Sequence, residues 1–143
     1  MNWDTYFMNI VDTVREKSKD INTKIGAVIV GMDNEIRSVG YNGFPRGVND
    51  DIISRYERPI KYMYTEHAER NAIYNAARMG TCLNRCRMYT NAIPCSDCAR
   101  GIIQSGIVEV IVKDLNVNNR WSESCKVALK MFQESNVIIR EMK

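Results

Sequence analysis

Apolar positions recur at helical spacing from the third residue onward: Trp3, Phe7, Ile10, Val11 and Val14 fall on one face of a predicted helix over 3–17. The pattern then changes. Residues 25–31, Ile-Gly-Ala-Val-Ile-Val-Gly, form a β-branched run bounded by glycine, which predicts a buried strand. Met32-Asp33-Asn34-Glu35 reads as a turn, and Ile36 to Tyr41 alternates as a second strand, so the two predict a hairpin. Residues 42–65 are polar and carry Gly43, Pro45, Gly47 and Pro59, a stretch of a length that compact domains reserve for functional or mobile segments. A helix is predicted from Glu66 to Arg78, closed by Gly80. Strand Arg87–Asn91 follows, then a helix that begins after Pro94 and runs to Gln104. Strand Ile107–Val112, amphipathic helix Glu123–Glu134 and strand Asn136–Glu141 complete the chain. The order α-β-β-α-β-α-β-α-β predicts an α/β sandwich, with a mixed five-stranded sheet flanked by helices in one domain over residues 1–143.

Composition narrows the function classes. A chain of 143 residues with 45% hydrophobic and 26% charged residues is normal for a globular domain with its own core. A formal charge of +3 is too small for a protein whose main partner is a nucleic-acid backbone, and suits a small phosphorylated ligand. The first residues lack the basic and apolar regions of a signal peptide, and no apolar run reaches membrane-span length. Five cysteines, at 82, 86, 95, 98 and 125, point to free thiols in a reducing compartment. The expectation is a cytoplasmic protein with no membrane and no nucleic-acid partner.

Two short segments carry the chemistry. His67-Ala68-Glu69 opens one predicted helix, and Pro94-Cys95-Ser96-Asp97-Cys98 opens the next. Cys95 and Cys98 are three apart, so one helical turn brings their sulfurs to the same side. The positive ends of both helices favour thiolate over thiol. Two thiolates and a neutral imidazole balance Zn²⁺ and leave a fourth position open, the arrangement of a catalytic rather than a structural site. His67 is the only histidine, so one zinc per chain is expected. Glu69 lies two residues from His67 and is expected to shuttle protons beside the open position, first as base and then as acid. The combined pattern His-x-Glu followed by Pro-Cys-x-x-Cys is the signature of zinc-dependent deaminases.

Four segments resemble the deoxycytidylate (dCMP) deaminases, over about residues 3–113. They are Ser18-Lys19-Asp20 with 23–30; Gly40-Tyr41-Asn42-Gly43-Phe44-Pro45-Arg46-Gly47; His67-Ala68-Glu69-Arg70-Asn71-Ala72-Ile73; and Pro94-Cys95-Ser96-Asp97-Cys98-Ala99 with Ile102-Ile103. The resemblance implies a three-layer cytidine-deaminase-like sandwich, conversion of dCMP to dUMP, a homo-hexamer, activation by dCTP and inhibition by dTTP. It implies that Asn42 holds the sugar, that Ala68 touches the substrate, and that Trp121 covers the nucleotide. Lys19, Lys24, Arg46 and Arg120 are candidate phosphate cations. Arg46 and Arg78 are also candidates for an effector site or subunit contact, and Asp50 and Asp51 for Mg²⁺ of an effector triphosphate. Glu66 and Arg70 stand where many members have Cys and a small apolar or Met residue, and the stretch from Leu115 onward departs from the family pattern.

Other readings stay open at this point. One is a deaminase of another cytosine nucleotide, such as a C5-modified dCMP. A nucleic-acid deaminase resembling the tRNA adenosine deaminases is a second, although Ile93 precedes Pro94 where those carry Glu and no basic stripe is present. A zinc-bearing regulatory module and a deaminase domain of riboflavin synthesis are others. Glu69 argues against the former and chain length against the latter.

Overall fold

The computed structural model describes residues 1–115 and 122–143. Strands β1 (Gly26–Val30), β2 (Ile36–Tyr41), β3 (Arg87–Thr90), β4 (Glu109–Val112) and β5 (Ile138–Glu141) form one sheet in the order β2-β1-β3-β4-β5. β1 is antiparallel to both β2 and β3, whereas β3, β4 and β5 pair in parallel. Four strands therefore run one way and β1 alone runs against them. Parallel neighbours need helical crossovers, and α4 (Ser96–Gln104) and α5 (Glu123–Ser135) supply them. α3 (Ala68–Met79) makes the longer crossing from β2 to β3.

Side chains that alternate along each strand divide the core in two. Ala27, Ile29, Met88, Val110 and Val112 face α3, α4 and α5, meeting Ala72, Ala76, Ala99, Ile102 and Phe132. Val28, Val30, Tyr89 and Ile111 face α1 (Trp3–Arg15), meeting Phe7, Met8 and Val11. All five β1 residues are buried because both faces are covered, which explains the uninterrupted apolar run. The mixed sheet between two helical layers is the expected three-layer sandwich.

α1 stops at Arg15, two residues before the end that periodicity predicts. Beyond it Asp20 turns the chain, its Oδ1 accepting from the Asn22 and Thr23 amides at 2.9 and 3.1 Å. The 42–65 stretch is also less irregular than its composition implies. A 3-10 turn (Ile53–Tyr56) and a short helix α2 (Lys61–Tyr64) lie within it, and a Gly43–Glu66 bridge joins its ends. Phe44 stacks on Tyr56 and Tyr64 at 4.7 and 5.3 Å between ring centroids, and the Arg55 guanidinium sits 4.6 Å from the Tyr64 centroid. The aromatics give the segment a small core of its own. Among the described residues, no helix is long and apolar enough to cross a membrane.

α3 lies unusually close to β2. Ala68, Ala72 and Ala76 form its buried stripe, and Gly40 faces them. A Cβ at Gly40 would lie 2.7 Å from the Ala68 carbonyl oxygen and nearer still to the Ala72 amide. The missing side chain thus fixes the depth of the helix whose first turn carries His67-Ala68-Glu69.

Candidate active site

The candidate ligands occupy helix caps. His67 is the N-cap of α3 and Cys95 the N-cap of α4, both with extended backbone (φ −76°). Cys98 is the third residue of α4. At these positions unpaired amides and the positive helix ends face the side chains. One contact joins the two helix starts, and another ties the second of them to α5. Arg70 joins the helices, with Nε 2.6 Å from Glu66 Oε1 and Nη1 3.4 Å from Asp97 Oδ2. The Ser96 amide donates to Ser124 Oγ of α5 at 2.8 Å. Glu66 and Arg70, the two departures from the family pattern, are therefore partners in one ion pair.

His67 Nδ1 lies 3.4 Å from both Cys95 Sγ and Cys98 Sγ. All three donor atoms fall within 4.8 Å of one another. For a tetrahedral ion with bonds of about 2.0 Å to nitrogen and 2.3 Å to sulfur, nitrogen and sulfur would be roughly 3.5 Å apart. The constellation fits zinc in spacing and donor type, and it offers three donors rather than four. The donated hydrogen bond from Cys98 brings the Cys95 thiol down to about 4, with His67 contributing. Cys98, holding the shared proton beside Cys95 and buried, is pushed up. The hydrogen bond to Cys95 raises His67 against the opposing effect of burial.

Glu69 is buried, and burial raises its carboxyl above the ordinary range. Its Oε1 accepts from Thr90 Oγ1 at 3.3 Å. Thr90, at the end of β3 and fully buried, was not apparent as a site residue from the sequence, because only the sheet brings it to α3.

His67, Glu69 and Cys95 line a cavity of about 250 Å³. Asn42, Ala68, Ile25, Asp20, Arg58, Lys61 and Tyr62 are also among its lining residues. Asn42 lines this cavity, and its amide is partly engaged. Oδ1 accepts from the Ile25 amide at 2.9 Å, and Nδ2 donates to the Thr23 carbonyl at 2.9 Å. One N–H and one lone pair remain for a ligand.

The model of the cytidine and deoxycytidylate deaminase zinc-binding region matches residues 1–114. The chain belongs to that family. It is 36% identical to human deoxycytidylate deaminase over 146 aligned positions, spanning 99% of this chain and 80% of the human one. It is 40% identical to an uncharacterised deaminase of Aliivibrio fischeri, over 94% of this chain and 90% of that one. Among solved structures, the dCMP deaminase of cyanophage S-TIM5 superposes with a TM-score of 0.77 at 22% identity, covering 97% of this chain and 96% of that one. That last likeness is one of fold.

Among the described residues, the remaining candidates Lys19, Lys24, Arg46 and Arg78 are not part of the cavity lining. Lys19 binds Asp50 and Asp51 at 2.8 and 3.2 Å, so an effector Mg²⁺ on those carboxylates would have to displace its ammonium. Lys24 lies 3.8 Å from Glu16. Neither Lys19 nor Lys24 lines the metal cavity, which corrects their expected place beside a substrate. Arg46 bonds Asn75 at 2.6 Å and borders a second cavity of about 260 Å³ with Tyr41, Phe44 and Tyr74. Arg78 sits in the exposed last turn of α3. Arg120 and Trp121 lie outside the described residues. Arg58, Lys61 and Tyr62 were missed because nothing local to 58–62 marks them as cavity-lining.

Proposed function

We propose that this chain hydrolyses dCMP to dUMP and ammonia, with one zinc ion on His67 Nδ1, Cys95 Sγ and Cys98 Sγ. One observation carries the reading: a buried carboxyl, Glu69, lines the same small cavity as His67 and Cys95, two of three convergent donors whose third is Cys98. Zinc bound there would supply a nucleophile by lowering the pKa of water. Glu69 takes a proton from the attacking water and delivers it to N3 of the cytosine ring; it then takes the proton of the new C4 hydroxyl and passes it to the exocyclic amine, which leaves as ammonia as the C4 carbonyl forms. Burial raises the Glu69 carboxyl above the ordinary range, the direction expected of a group that must hold a proton before releasing it. Thr90 holds Oε1 and leaves the other oxygen to move the proton. The Ala68 amide, at the start of α3 and without a partner inside the helix, donates to the base carbonyl in this reading. Asn42 offers its remaining N–H to a sugar hydroxyl.

Homology to deoxycytidylate deaminases supports the choice of nucleotide. In this reading the chain is a cytoplasmic homo-oligomer, a hexamer by family likeness, that responds to dCTP and dTTP. Its five unbridged cysteines suit a reducing compartment. Arg46 and Arg78 belong to effector or subunit contacts outside the catalytic cavity.

The test is ammonia release by zinc-loaded protein from dCMP, CMP, deoxycytidine, dCTP and tRNA. dCMP is expected to have the highest kcat/KM, and a preference for tRNA or CMP refutes the reading. Glu69→Gln should retain about one zinc per chain and lose roughly 10²- to 10⁴-fold in kcat. Near-normal turnover would refute the shuttle role.

A further inference from the structure

The cavity has a cationic wall that the deamination chemistry does not use. Arg58 and Lys61 both line it, together with Asp20 and Tyr62. Lys61 is not free to meet a ligand: its Nζ lies 2.7 Å from Asp20 Oδ2, and both side chains are less than a tenth exposed. Asp20 and Lys61 together contribute no net charge. Arg58 is different. It is exposed, no described carboxylate pairs with it, and its guanidinium lies 6.0 Å from the Tyr62 ring centroid. Among the described residues that line the cavity, Arg58 is therefore the one cation without a carboxylate partner. Of the cations nominated from the sequence, Lys19 faces Asp50 and Asp51, Lys24 faces Glu16, and Arg46 borders another cavity.

We propose that Arg58 binds the substrate's 5′-phosphate and sets the preference for nucleotide over nucleoside. This rests on the deoxynucleotide reading above. A guanidinium keeps its charge at every working pH and presents a planar fork of donors that matches two phosphate oxygens. The Tyr62 face stabilises that cation without neutralising it. The buried Asp20–Lys61 pair anchors α2, so the segment carrying Arg58 and Tyr62 is fastened against the body of the protein. The pair has a second effect. With Lys61 engaged, Asp20 does not repel an arriving dianion, and Arg58 supplies the attraction.

The experiment compares kcat/KM for dCMP and deoxycytidine in the zinc-loaded wild type, Arg58→Ala, Arg58→Lys and Arg120→Ala. Thermal melting verifies that each variant folds, which exposed Arg58 is expected to permit. In Arg58→Ala the ratio of dCMP to deoxycytidine efficiency should fall about 10- to 100-fold, the range of a charged hydrogen bond, mainly through KM for dCMP. Arg58→Lys should recover only part of the ratio, because a point charge lacks the fork. Calorimetric titration with dUMP and deoxyuridine should show the same loss confined to dUMP. If Arg58→Ala keeps the wild-type ratio, or Arg120→Ala collapses it while Arg58→Ala does not, the assignment is overturned and the substrate reading stands. If wild type deaminates no cytosine nucleotide, the substrate reading fails and this assignment fails with it.

Discussion

Replacing Lys61 with methionine tests how the wall of the cavity is held. The Lys61 ammonium and Asp20 carboxylate lie 2.7 Å apart with 9% and 6% of their side chains exposed. Methionine keeps most of the apolar stem and removes the charge. Asp20 is then a buried carboxylate with two amide donors, from Asn22 and Thr23. Stripping one partner from a buried pair costs about 3–5 kcal/mol. The surviving amide bonds place this case near about 2–3 kcal/mol, a large share of a typical stability of about 5–15 kcal/mol. Asp20→Asn in the Lys61→Met background removes the stranded charge, so the double variant should be more stable than Lys61→Met by about 1–2 kcal/mol. Urea unfolding at fixed free zinc measures all four corners of the cycle. The pH dependence supplies a sign. Burial alone would raise the Asp20 carboxyl, but Lys61 and the two amides outweigh it and hold it below its ordinary value. The wild-type contribution is therefore present above the unfolded pKa near 3.8 and is lost as pH falls through the folded value. Without Lys61 burial gains weight, so the stability gap between wild type and variant should narrow in acid. A cost below about 0.5 kcal/mol, or strictly additive single effects, would mean that the pair behaves like a solvated surface bridge, and the reasoning would fail.

Two further perturbations probe the frame of the site. Gly40→Ala should cost about 2–4 kcal/mol and speed zinc loss to a chelator, because its Cβ meets the α3 backbone rather than a movable side chain; an unchanged melting temperature and zinc release rate would contradict the packing argument. Asp4 is buried on the other face of the sheet, where Arg140 bonds hold its carboxyl well below the usual range, with the Lys143 amide and the Tyr89 hydroxyl assisting. A depressed carboxyl stabilises above its unfolded pKa and loses that contribution as pH falls. Asp4→Asn should thus be less stable at pH 7 and show a shallower loss than wild type below about pH 4; parallel acid profiles would refute this.

The parts of the molecule legible in the sequence were those with local causes. β1 is uniformly apolar because both its faces are covered, and β2 at the sheet edge mixes apolar and polar residues around a bulge, so the local pattern located both strands. His67, Glu69, Cys95 and Cys98 were legible because each pair or triplet sits within one helical turn. The sequence indicated helix starts, and the structure refines this: His67 and Cys95 are caps, and Nδ1 is the converging nitrogen. What was not legible depends on partners distant in the chain. Lys19 and Lys24 read as free cations because Asp50, Asp51 and Glu16 meet them only in the folded protein. Lys61 reads as a surface lysine until Asp20 is placed beside it. The 42–65 segment reads as polar because Phe44, Tyr56 and Tyr64 are spaced without period and meet only when it closes on itself.

That self-closed segment has an engineering consequence. It carries Arg58, Lys61 and Tyr62 to the cavity yet supplies none of the three soft donors and no part of Glu69. Its ends meet at the Gly43–Glu66 bridge, and its middle is fastened through Asp20. A segment closed at its base and pinned at one point is a natural unit of exchange. Swapping residues 44–65 for the matching stretch of a relative, with the residue facing Asp20 kept cationic, would transplant a recognition surface onto an unaltered reaction centre. The part of the cavity lining that this segment carries can therefore be varied apart from the metal ligands and Glu69, while Asn42 and Ala68 stay with the body of the protein.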